Sequence, residues 1–525
     1  MQADLILTGG RILTMAGRRA EAVAVLRDRV VAVGGADEIG ELRGPRTHVV
    51  DLGGRVAMPG FTDSHLHLAA LSLLASQVDL RRATSLRAAL RRVAARVRAA
   101  QPGQWILGSG VDKNRWGGDF PTRADLDAVA PRNPVALRTR DGHSLWVNSL
   151  ALDMCGITAG TPDPPGGAIL RDARGAPTGI LQESAAGLVY GAPAFARRAP
   201  NLAEIQVALR LLIRQGITSA HVMEEVELLG ALQRLRTAGQ LGPRLTIYCP
   251  RGSLDELLSA ELRSGFGDEW LRIGGVKLLI DGSLGSQTAW LFRPYPGGGF
   301  GVPVLWGEEL RDTVARAARG GLACAVHAIG DRANAEALAA FGAARRWPTP
   351  LPHRIEHAQL LRERDIPRLA RLGVVASMQP CHILGDIGPA ERYWGKRSRW
   401  AYPIRSLLRA GTTLAFGSDA PVETTSVPAG VYAAVCRQTL SGEPPGGWYR
   451  REEGIGPDAA LAGYTVGPAV ATGEQALKGR LAPGYLADIV VLSQDMSRLR
   501  SRRLLDTRVD MVFIGGRLRF RRRAG

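Results

Sequence analysis

Eight short apolar segments, separated by stretches of helical periodicity, constrain the fold of this chain more than any other feature. This alternation is typical of βα units, whose strands lie parallel in one sheet. Eight such units are the number that a (β/α)8 barrel requires. The sequence therefore predicts an α/β fold, a distorted TIM barrel, with its strands within residues 56–67, 216–223, 244–250, 273–281, 322–330, 354–358, 374–380 and 413–419.

The two ends of the chain carry further short strand patterns bounded by glycine and aspartate. Residues 7–11 (LTGGR) near one end are echoed by residues 513–517 (FIGGR) near the other. Neither end has enough strands to close a core alone, so we predict that residues 1–55 and 470–525 build one β-sandwich together. The barrel then spans residues 56–469. The interval of about 80–200 is too long for a simple crossover and predicts an insertion after the first barrel strand.

The composition is that of a globular protein in a reducing compartment. Hydrophobic residues make up 45% of the chain and charged residues 22%, which allows a sizeable core. Five scattered cysteines without CxxC spacing favour the cytoplasm over a disulfide framework. The sequence shows neither a signal-peptide pattern nor an apolar run of the roughly 18 residues that a membrane span needs. We therefore expect no membrane partner.

The net charge of +18 comes almost entirely from arginine, since only four lysines occur. Strong positive charge is typical of proteins that bind nucleic acids or acidic substrates. No nucleic-acid-binding motif or aromatic stacking platform accompanies it here, and solvated helix faces rich in arginine explain it more simply. We therefore expect no nucleic-acid partner. The scarcity of lysine makes Lys277, which lies inside an apolar strand, conspicuous.

Side chains that bind metals recur at the predicted strand ends, where barrel enzymes build their active sites. His65 and His67 end the first strand, and a period of two places both imidazoles on one face. The others lie on strands four, five, six and eight: Lys277, His327, His357 and Asp419. Each has an ordinary structural alternative, such as an ion pair for Lys277 or a helix N-cap for Asp419. A shared metal centre explains all six together better than six separate structural roles.

Motifs in a fixed order along nearly the whole chain resemble the metal-dependent amidohydrolase superfamily. The closest likeness is to amidohydrolase family 3, the branch of N-substituted formamide deformylase-like enzymes. The motifs are residues 4–11, 59–67, 276–288, 327–331, 356–357, 417–421 and 481–491. The resemblance implies a hydrolase that acts on carbon–nitrogen bonds other than peptide bonds, and it does not identify the substrate.

The resemblance also implies a binuclear metal centre with two divalent ions, expected to be zinc. Two such ions about 3.5–4 Å apart can activate a shared hydroxide and polarise the substrate carbonyl. The predicted metal ligands are His65, His67 and Asp419 for one ion and His327 and His357 for the other. Lys277, carbamylated by carbon dioxide, would bridge the pair, since burial favours the neutral amine that forms a carbamate. Asp419 would carry the proton of the hydroxide to the leaving amine.

Four residues near these ligands are predicted substrate contacts: His143, Asp281, Gln287 and His221. Each has an alternative, which is a surface loop for His143, turn chemistry for Asp281 and Gln287, and a core position for His221. Glu183 is an alternative bridging carboxylate, although it precedes the second strand. His382 follows the seventh strand and is more simply a loop histidine than a substrate contact.

The leading hypothesis is a cytoplasmic hydrolase that cleaves the C–N bond of a small N-substituted amide or formamide by attack of a metal-bridging hydroxide. A deaminase of the same superfamily is the alternative, although that class usually lacks the carbamylated lysine. A catalytically silent scaffold or regulator is a third hypothesis, but such relatives have typically lost metal ligands. The sequence leaves open the substrate, the metal used in the cell, and whether the chain forms a homodimer.

Overall fold

The computed structural model describes residues 2–17, 19–74, 77–81, 83–193, 195 and 199–523. Its strands are, in chain order, β1 (Leu5–Thr8), β2 (Arg11–Leu13), β3 (Arg19–Ala20), β4 (Ala22–Leu26), β5 (Arg29–Gly34), β6 (His48–Asp51), β7 (Val56–Pro59), β8 (Phe61–Leu66), β9 (Val78–Asp79), β10 (Ile106–Val111), β11 (Val135–Thr139), β12 (Ser144–Val147), β13 (Gly167–Arg171), β14 (Pro177–Glu183), β15 (Ile217–Met223), β16 (Arg244–Pro250), β17 (Leu271–Leu279), β18 (Ala323–Ala328), β19 (Arg354–His357), β20 (Val375–Met378), β21 (Leu414–Phe416), β22 (Ile489–Leu492), β23 (Val509–Ile514) and β24 (Arg517–Arg521).

The α-helices are, in the same order, α1 (Ala36–Gly40), α2 (Leu68–Leu73), α3 (Leu86–Arg98), α4 (Arg123–Asp127), α5 (Ser149–Met154), α6 (Gly187–Tyr190), α7 (Leu202–Arg214), α8 (Val226–Thr237), α9 (Leu254–Ser259), α10 (Gly307–Arg319), α11 (Asp331–Ala344), α12 (Ile366–Leu372), α13 (Ile383–Trp394), α14 (Ile404–Arg409), α15 (Val427–Cys436), α16 (Arg450–Glu453), α17 (Pro457–Gly463) and α18 (Val466–Ala471).

The central sheet contains eight parallel strands in the order β21-β20-β19-β18-β17-β16-β15-β8. The chain just beyond β8 and β21 joins the two edges of this sheet through backbone hydrogen bonds. The N–H of Asp419 donates to the carbonyl of His65 at 2.7 Å, and the N–H of His67 donates to that of Ala420 at 2.8 Å. The sheet is therefore a nearly closed TIM-type barrel. Each of its strands overlaps one of the eight predicted segments, which confirms the predicted fold class.

Amphipathic helices return the chain between successive barrel strands. In α7 the buried residues are Ile205, Ala208, Leu209, Leu212 and Ile213, the spacing of one apolar helix face. Asn201 begins this helix, because its side chain accepts the N–H of Glu204 while the Glu204 carboxylate accepts the N–H of Asn201. This reciprocal capping satisfies two amide groups that a helix N-terminus otherwise leaves without partners.

The two ends of the chain build a β-sandwich from a four-stranded sheet, β5-β4-β1-β6, and a six-stranded sheet, β24-β23-β22-β7-β2-β3. Alternate residues of β1, Leu5 and Leu7, share one core with Ile489 and Val491 of β22. Ile6, between them, lies in a separate cluster beside α1, as the alternation of side chains in a strand requires. The predicted sandwich from both termini is confirmed, while its limits at residues 55 and 470 stay a prediction.

The first predicted strand, residues 56–67, is divided at Gly60 into β7 and β8. β7 pairs with β22 and β2 of the sandwich, whereas β8 pairs with β15 of the barrel. Gly60 donates its N–H to the carbonyl of Asp488. A Cβ at this position would lie 2.2 Å from Oγ1 of Thr218, so the close approach of sandwich and barrel requires glycine here. A continuous apolar pattern could not reveal this change of sheet.

The segment between β8 and β15 forms a sheet of its own, in the order β13-β14-β12-β11-β10-β9. Val93 of α3 packs in one cluster with Val78, Ile106, Leu137 and Trp146. The segment therefore has its own hydrophobic core, which confirms the insertion predicted after the first barrel strand.

Two expectations from composition concern membranes and disulfides. Within the described residues, no helix combines the length and the apolar character that crossing a bilayer requires. All five cysteines are free thiols: Cys155, Cys249, Cys324, Cys381 and Cys436.

Candidate metal centre and substrate cavity

The end of β8 brings two imidazoles to one carboxylate. Nε2 of His67 lies 3.1 Å from Oδ1 of Asp419, and Nε2 of His65 lies 3.6 Å from the same oxygen. His65 is fully buried, whereas 38% of the His67 side chain is exposed. The predicted common face of the two histidines is therefore present, and Asp419 of the eighth strand segment lies opposite it.

In both His65 and His67, a hydrogen bond at Nδ1 determines which ring nitrogen is free to bind a metal. Nδ1 of His65 lies 2.5 Å from Oε2 of Glu356, and Nδ1 of His67 lies 3.3 Å from the carbonyl oxygen of Met223. A carboxylate or carbonyl oxygen only accepts, so Nδ1 carries the hydrogen in both rings. The lone pair of each Nε2 then points towards Asp419, which is the orientation that a metal ligand needs.

Burial keeps His65, His327 and His357 neutral. It lowers the pKa of His65 to about 4, with the nearby Lys277 acting in the same direction. It also places the pKa values of His327 and His357 well below the ordinary value. Since a metal binds the unprotonated nitrogen, these rings are ready for coordination at neutral pH.

Asp419 lies in a strained and tightly held segment. Its φ of 57° is in the left-handed region that non-glycine residues rarely adopt. The carboxylate of Asp63 holds the preceding residue by accepting from both the N–H and the hydroxyl of Ser418. Burial acts to raise the pKa of Asp419, but the nearby imidazoles of His67, His65 and His382 outweigh it and hold that pKa well below its usual range. Asp419 is thus an anion fixed at the barrel closure.

A buried ion pair supports His65 from below. Arg354 and Glu356 are both fully buried on β19, and the guanidinium donates to both carboxylate oxygens. The same guanidinium donates to the carbonyl of Ser64. Burial acts to raise the pKa of Glu356, yet the charge of Arg354 and the hydrogen bond from His65 hold it well below the ordinary value. The pair therefore ties β19 to the His65 segment of β8.

The other predicted histidines form a chain of rings beside His65. The ring of His357 lies 5.1 Å from that of His65 and 4.5 Å from that of His327, centroid to centroid. Nε2 of His327 lies 3.1 Å from the carbonyl oxygen of Gly282, so this nitrogen carries the hydrogen and Nδ1 is left as the lone-pair donor.

His382 lies inside the site, although its position after a strand indicated a loop histidine. Its Nε2 is 3.6 Å from Oδ2 of Asp419, and only 11% of its side chain is exposed. Its ring centroid is 5.9 Å from that of His357. The turn after β20 directs this side chain into the barrel mouth, which sequence spacing alone could not show.

Lys277 lies on β17 with 7% of its surface exposed. Burial lowers the pKa of its amine to about 8, against the opposing charges of Glu356 and Asp419. Its charge also depresses the pKa of His65, His327 and His357, which places the amine among the candidate ligands. Gly275, two residues earlier, has a φ of 152°, and a Cβ there would lie 1.9 Å from the carbonyl oxygen of Ala323. Only glycine therefore lets β17 approach β18 this closely.

The donor set fits a cation. Six buried imidazole or carboxylate atoms of the described residues have no hydrogen-bond partner, and four of them belong to candidate ligands that surround Asp419: His65 Nε2, Asp419 Oδ1, His357 Nδ1 and His382 Nε2. Such atoms cost free energy unless something satisfies them. Among the described residues, two groups have ligand atoms within 4.8 Å of one another, and these groups are His65, His67, Asp419 and His357, His382, Asp419. Both groups contain Asp419, so the geometry gives a candidate metal-binding centre with this carboxylate in the middle.

His143 comes from the insertion and lies against the barrel histidines. Its ring centroid is 5.0 Å from that of His327, and its Nδ1 is 2.9 Å from Oε2 of Glu183. Burial acts to lower the pKa of His143, but the carboxylates of Glu183 and Asp141 outweigh it and raise it to about 9. The ring is therefore an imidazolium at neutral pH. Glu183, the alternative bridge, contacts His143 and approaches Gly282.

Two of the remaining predicted contacts lie deeper in the protein, and the third lies beside the cavity wall. Asp281 is fully buried and accepts the N–H groups of Trp290, Ile329 and Gly330. His221 is also fully buried and accepts from the guanidinium of Arg354 at 2.9 Å. Gln287 is half-buried, and its Oε1 accepts from Nζ of Lys113. This geometry gives Asp281 and His221 supporting positions around the ligands, and their contact with substrate stays a prediction.

A cavity of about 540 Å³ opens above these ligands. The insertion supplies one wall, with Lys113, Arg140 and Asp141, while β-strand ends and the loops after them supply the floor, with His357 and Asp419. A cavity of this size accommodates a small organic molecule. Its position between the insertion and the barrel places any bound molecule beside the candidate metal centre.

Several residues hold the candidate ligands in position rather than bind ions, and the sequence alone did not identify them. Glu224 accepts the N–H of Ala69 at the start of α2, and burial raises its pKa to about 7. Glu356, Arg354 and Asp63 have comparable supporting roles. The pairs Glu356–His357 and Asp63–His65 were visible as motifs, but their hydrogen-bond partners lie on strands remote in sequence.

The chain is similar to known proteins over most of its length. The amidohydrolase family (Amidohydro_3) matches residues 48–520. Protein LONG AFTER FAR-RED 3 of Arabidopsis thaliana is 33% identical over 521 residues, which cover 94% of this chain and 87% of that protein. N-substituted formamide deformylase of Arthrobacter pascens is 29% identical over 544 residues, covering 99% and 98%.

A solved structure agrees with the barrel and its additional sheets. An uncharacterized metal-dependent hydrolase from Pyrococcus horikoshii superposes with a TM-score of 0.75 at 30% identity, covering 94% of this chain and 98% of that one. The resemblance inferred from motifs is confirmed. The chain therefore belongs to the amidohydrolase family and is a hydrolase.

Proposed function

We propose that this chain cleaves the C–N bond of a small amide, an N-substituted amide or formamide, with the help of two divalent ions, expected to be zinc. The observation that carries the proposal is the set of buried, unpartnered nitrogen and oxygen atoms that converge on Asp419 at the floor of the cavity. Imidazole and carboxylate are the ligands that zinc prefers besides thiolate.

One ion would be held by His65, His67 and Asp419, which already form one ligand group. The second would be held by His327 and His357. His382 adds a further nitrogen on that side, since it forms a ligand group with His357 and Asp419. When bound, two divalent ions supply an acidified water molecule and a polarised carbonyl group.

Lys277 would bridge the two ions as a carbamate. The neutral amine forms a bond to carbon dioxide and loses one proton to solvent, which yields an anionic group with two oxygens. The lowered pKa of Lys277 favours the neutral amine that this step needs. An unmodified ammonium would instead be repelled by both dications.

Asp419 would move the proton during hydrolysis. Its carboxylate stays ionised because its pKa is held low, so it can accept a proton from the attacking water. It would then release this proton to the nitrogen that leaves. His143, an imidazolium whose Nδ1 is engaged by Glu183, would direct its Nε2–H to a substrate oxygen.

The test is a screen of N-formyl and N-acyl amines with metal-loaded protein, with chelated protein as the control. The proposal expects release of a carboxylic acid and a free amine that is lost on chelation and regained with zinc. Ammonia release from amino-substituted heterocycles without amide cleavage would indicate the deaminase instead. Metal-free, inactive protein that does not regain activity with added zinc would indicate the silent scaffold.

We also propose that the protein works in the cytoplasm. Four of its free thiols are buried and remote from one another in sequence, Cys249, Cys324, Cys381 and Cys436, as is usual where thiols stay reduced. The proposed binding partner is a small-molecule amide, and whether the chain forms a homodimer is an open question.

A further inference from the structure

The wall of the cavity contains a buried lysine that the proposed mechanism does not use. Lys113 follows β10 in the insertion, in a short turn that Asp112 caps by accepting the N–H of Arg115. Only 7% of Lys113 is exposed. Its Nζ lies 4.4 Å from the ring centre of Phe120 and 5.7 Å from that of Tyr393. The aromatic rings thus hold the lysine in place beside the cavity.

The ammonium of Lys113 lacks a counter-ion. Its Nζ lies 3.3 Å from Oε1 of Gln287, and among the described residues no carboxylate forms an ion pair with it. An ammonium has three N–H donors, so the protein satisfies one of them. Burial lowers the pKa of this amine, against the more distant charge of Asp141. An unpaired buried cation is costly unless a ligand supplies the missing charge.

Three other carboxylates that line this cavity, those of Asp112, Asp141 and Glu423, are already engaged. Glu423 pairs with Arg140, which also lies 3.4 Å from Asp112. Asp141 accepts the hydroxyl groups of Thr139, Ser283 and Ser286. Among the described residues that line this cavity, Lys113 is thus the buried cation that has no carboxylate partner and can receive an anion.

We propose that Lys113 binds a carboxylate of the substrate. This inference rests on the proposed amide hydrolysis and names its substrate class, which is an N-acylated amine that also carries a carboxylate, such as an N-formyl or N-acyl amino acid. The amide lies over the metal centre while the carboxylate contacts the insertion. A single ammonium in a cavity that also contains the carboxylates of Asp141 and Glu423 suits a monoanion better than a dianionic phosphate.

Binding without turnover tests the assignment directly. The probes are N-methanesulfonyl-leucine and its primary carboxamide, which differ in the charge of one group and lack the N-acyl bond that the proposed reaction cleaves. Calorimetry on metal-loaded protein should give an affinity for the acid on the order of 10- to 100-fold above that for the carboxamide, the range of a charge-assisted hydrogen bond. Affinities equal within about threefold would overturn the proposal.

The matched variants are Lys113→Met, which keeps the length of the side chain, and Lys396→Met, which replaces an exposed lysine. Lys113→Met should bring the two affinities to within about threefold, with little change for the carboxamide, while Lys396→Met keeps the preference. A carboxylate that bound the metal ions instead would keep its advantage in Lys113→Met, and this result would overturn the assignment.

Hydrolysis of N-formyl-leucine and N-formyl-leucinamide separates this inference from the proposed function. A preference of kcat/KM for the acid that disappears in Lys113→Met supports both. Preferential binding of the acid probe without hydrolysis of either amide refutes the amidase and leaves the anion site in place. Hydrolysis of the formyl group from both compounds at equal rates refutes the role of Lys113 and leaves the amidase proposal in place.

Discussion

Nδ1 of His65 donates to the carboxylate of Glu356 at 2.5 Å, and neither side chain has more than 1% of its surface exposed. This contact joins the first and sixth strands of the barrel beneath the candidate metal centre. It fixes the hydrogen of His65 on Nδ1 and leaves Nε2 facing Asp419. The same carboxylate neutralises Arg354, so one residue orients a ligand and balances a buried cation.

Glu356→Gln should weaken metal binding and destabilise the barrel. The amide keeps the shape but lacks the charge, so we expect metal affinity to fall about 10- to 100-fold. Arg354 would be left as an unpaired buried cation, which costs about 3–5 kcal/mol of unfolding free energy. Competition with a chelator and denaturant unfolding measure the two effects. Glu363→Gln, at an exposed position, is the control, and unchanged metal affinity in Glu356→Gln would contradict the orienting role.

Asp419→Asn separates proton transfer from metal binding. Without the proton acceptor, kcat should fall by a factor on the order of 10² to 10⁴. Metal content should fall much less than in His65→Ala, because an amide oxygen still coordinates. Asp458→Asn, at an exposed position, should leave both unchanged. If hydrolysis by Asp419→Asn stays within about threefold of wild type at saturating metal, Asp419 does not carry the proton.

Lys277→Ala should lose at least one ion and most of the activity, because the bridging carbamate is missing. A short carboxylic acid in the buffer should restore part of both by filling the gap. Lys277→Arg should not, since a guanidinium stays charged and forms no carbamate. Labelled bicarbonate should give a carbon-13 carbamate signal in wild type but not in Lys277→Ala. A bare amine in active, metal-loaded protein would direct attention to Glu183 as the bridge.

His353 should make stability depend on pH away from the site. Its Nδ1 accepts the N–H of Cys324 at 3.0 Å, and its ring stacks on Phe341. Burial lowers its pKa from 6.5 to about 4. On acidification the unfolded chain therefore binds the proton first. The contribution of neutral His353 to the free energy of unfolding is complete above pH 6.5. It is lost as the pH falls towards 4, and the loss is about 3 kcal/mol.

The variant His353→Asn keeps an acceptor for Cys324 but cannot take up the proton. Its stability should be lower at neutral pH, because the stacked ring is gone, and should change less between pH 7 and pH 4 than that of wild type. Denaturant unfolding at several pH values measures the difference. His48→Asn, at an exposed position, is the control. Parallel profiles for wild type and His353→Asn would contradict the prediction.

The barrel could be predicted because each of its strands is marked by a pattern in the neighbouring sequence. Each strand is a short apolar run next to a helical pattern, and the two ends share a recognisable turn motif. The division of residues 56–67 between two sheets could not be predicted, because it depends on the contact of Gly60 with Thr218. The apolar pattern is the same in both sheets.

The candidate site was predictable to the extent that residue type determines its chemistry. His65, His67 and Asp419 meet as expected, since strand ends of a barrel meet at one face. Glu356 and His382 were not assigned, because their roles depend on which side chains of remote strands point at one another. Asp281 follows Lys277 closely in sequence, yet it turns inward to hold the N–H groups of the loop after β18.

Metal stoichiometry coupled to hydrolysis tests the central claim most directly. Metal-free protein is titrated with zinc while bound ions per chain and cleavage of an N-formyl amine are followed together. The account predicts that activity reaches its maximum as close to two ions bind each chain. Full activity with no more than one ion per chain, or two bound ions without any amide cleavage across the substrate screen, would contradict it.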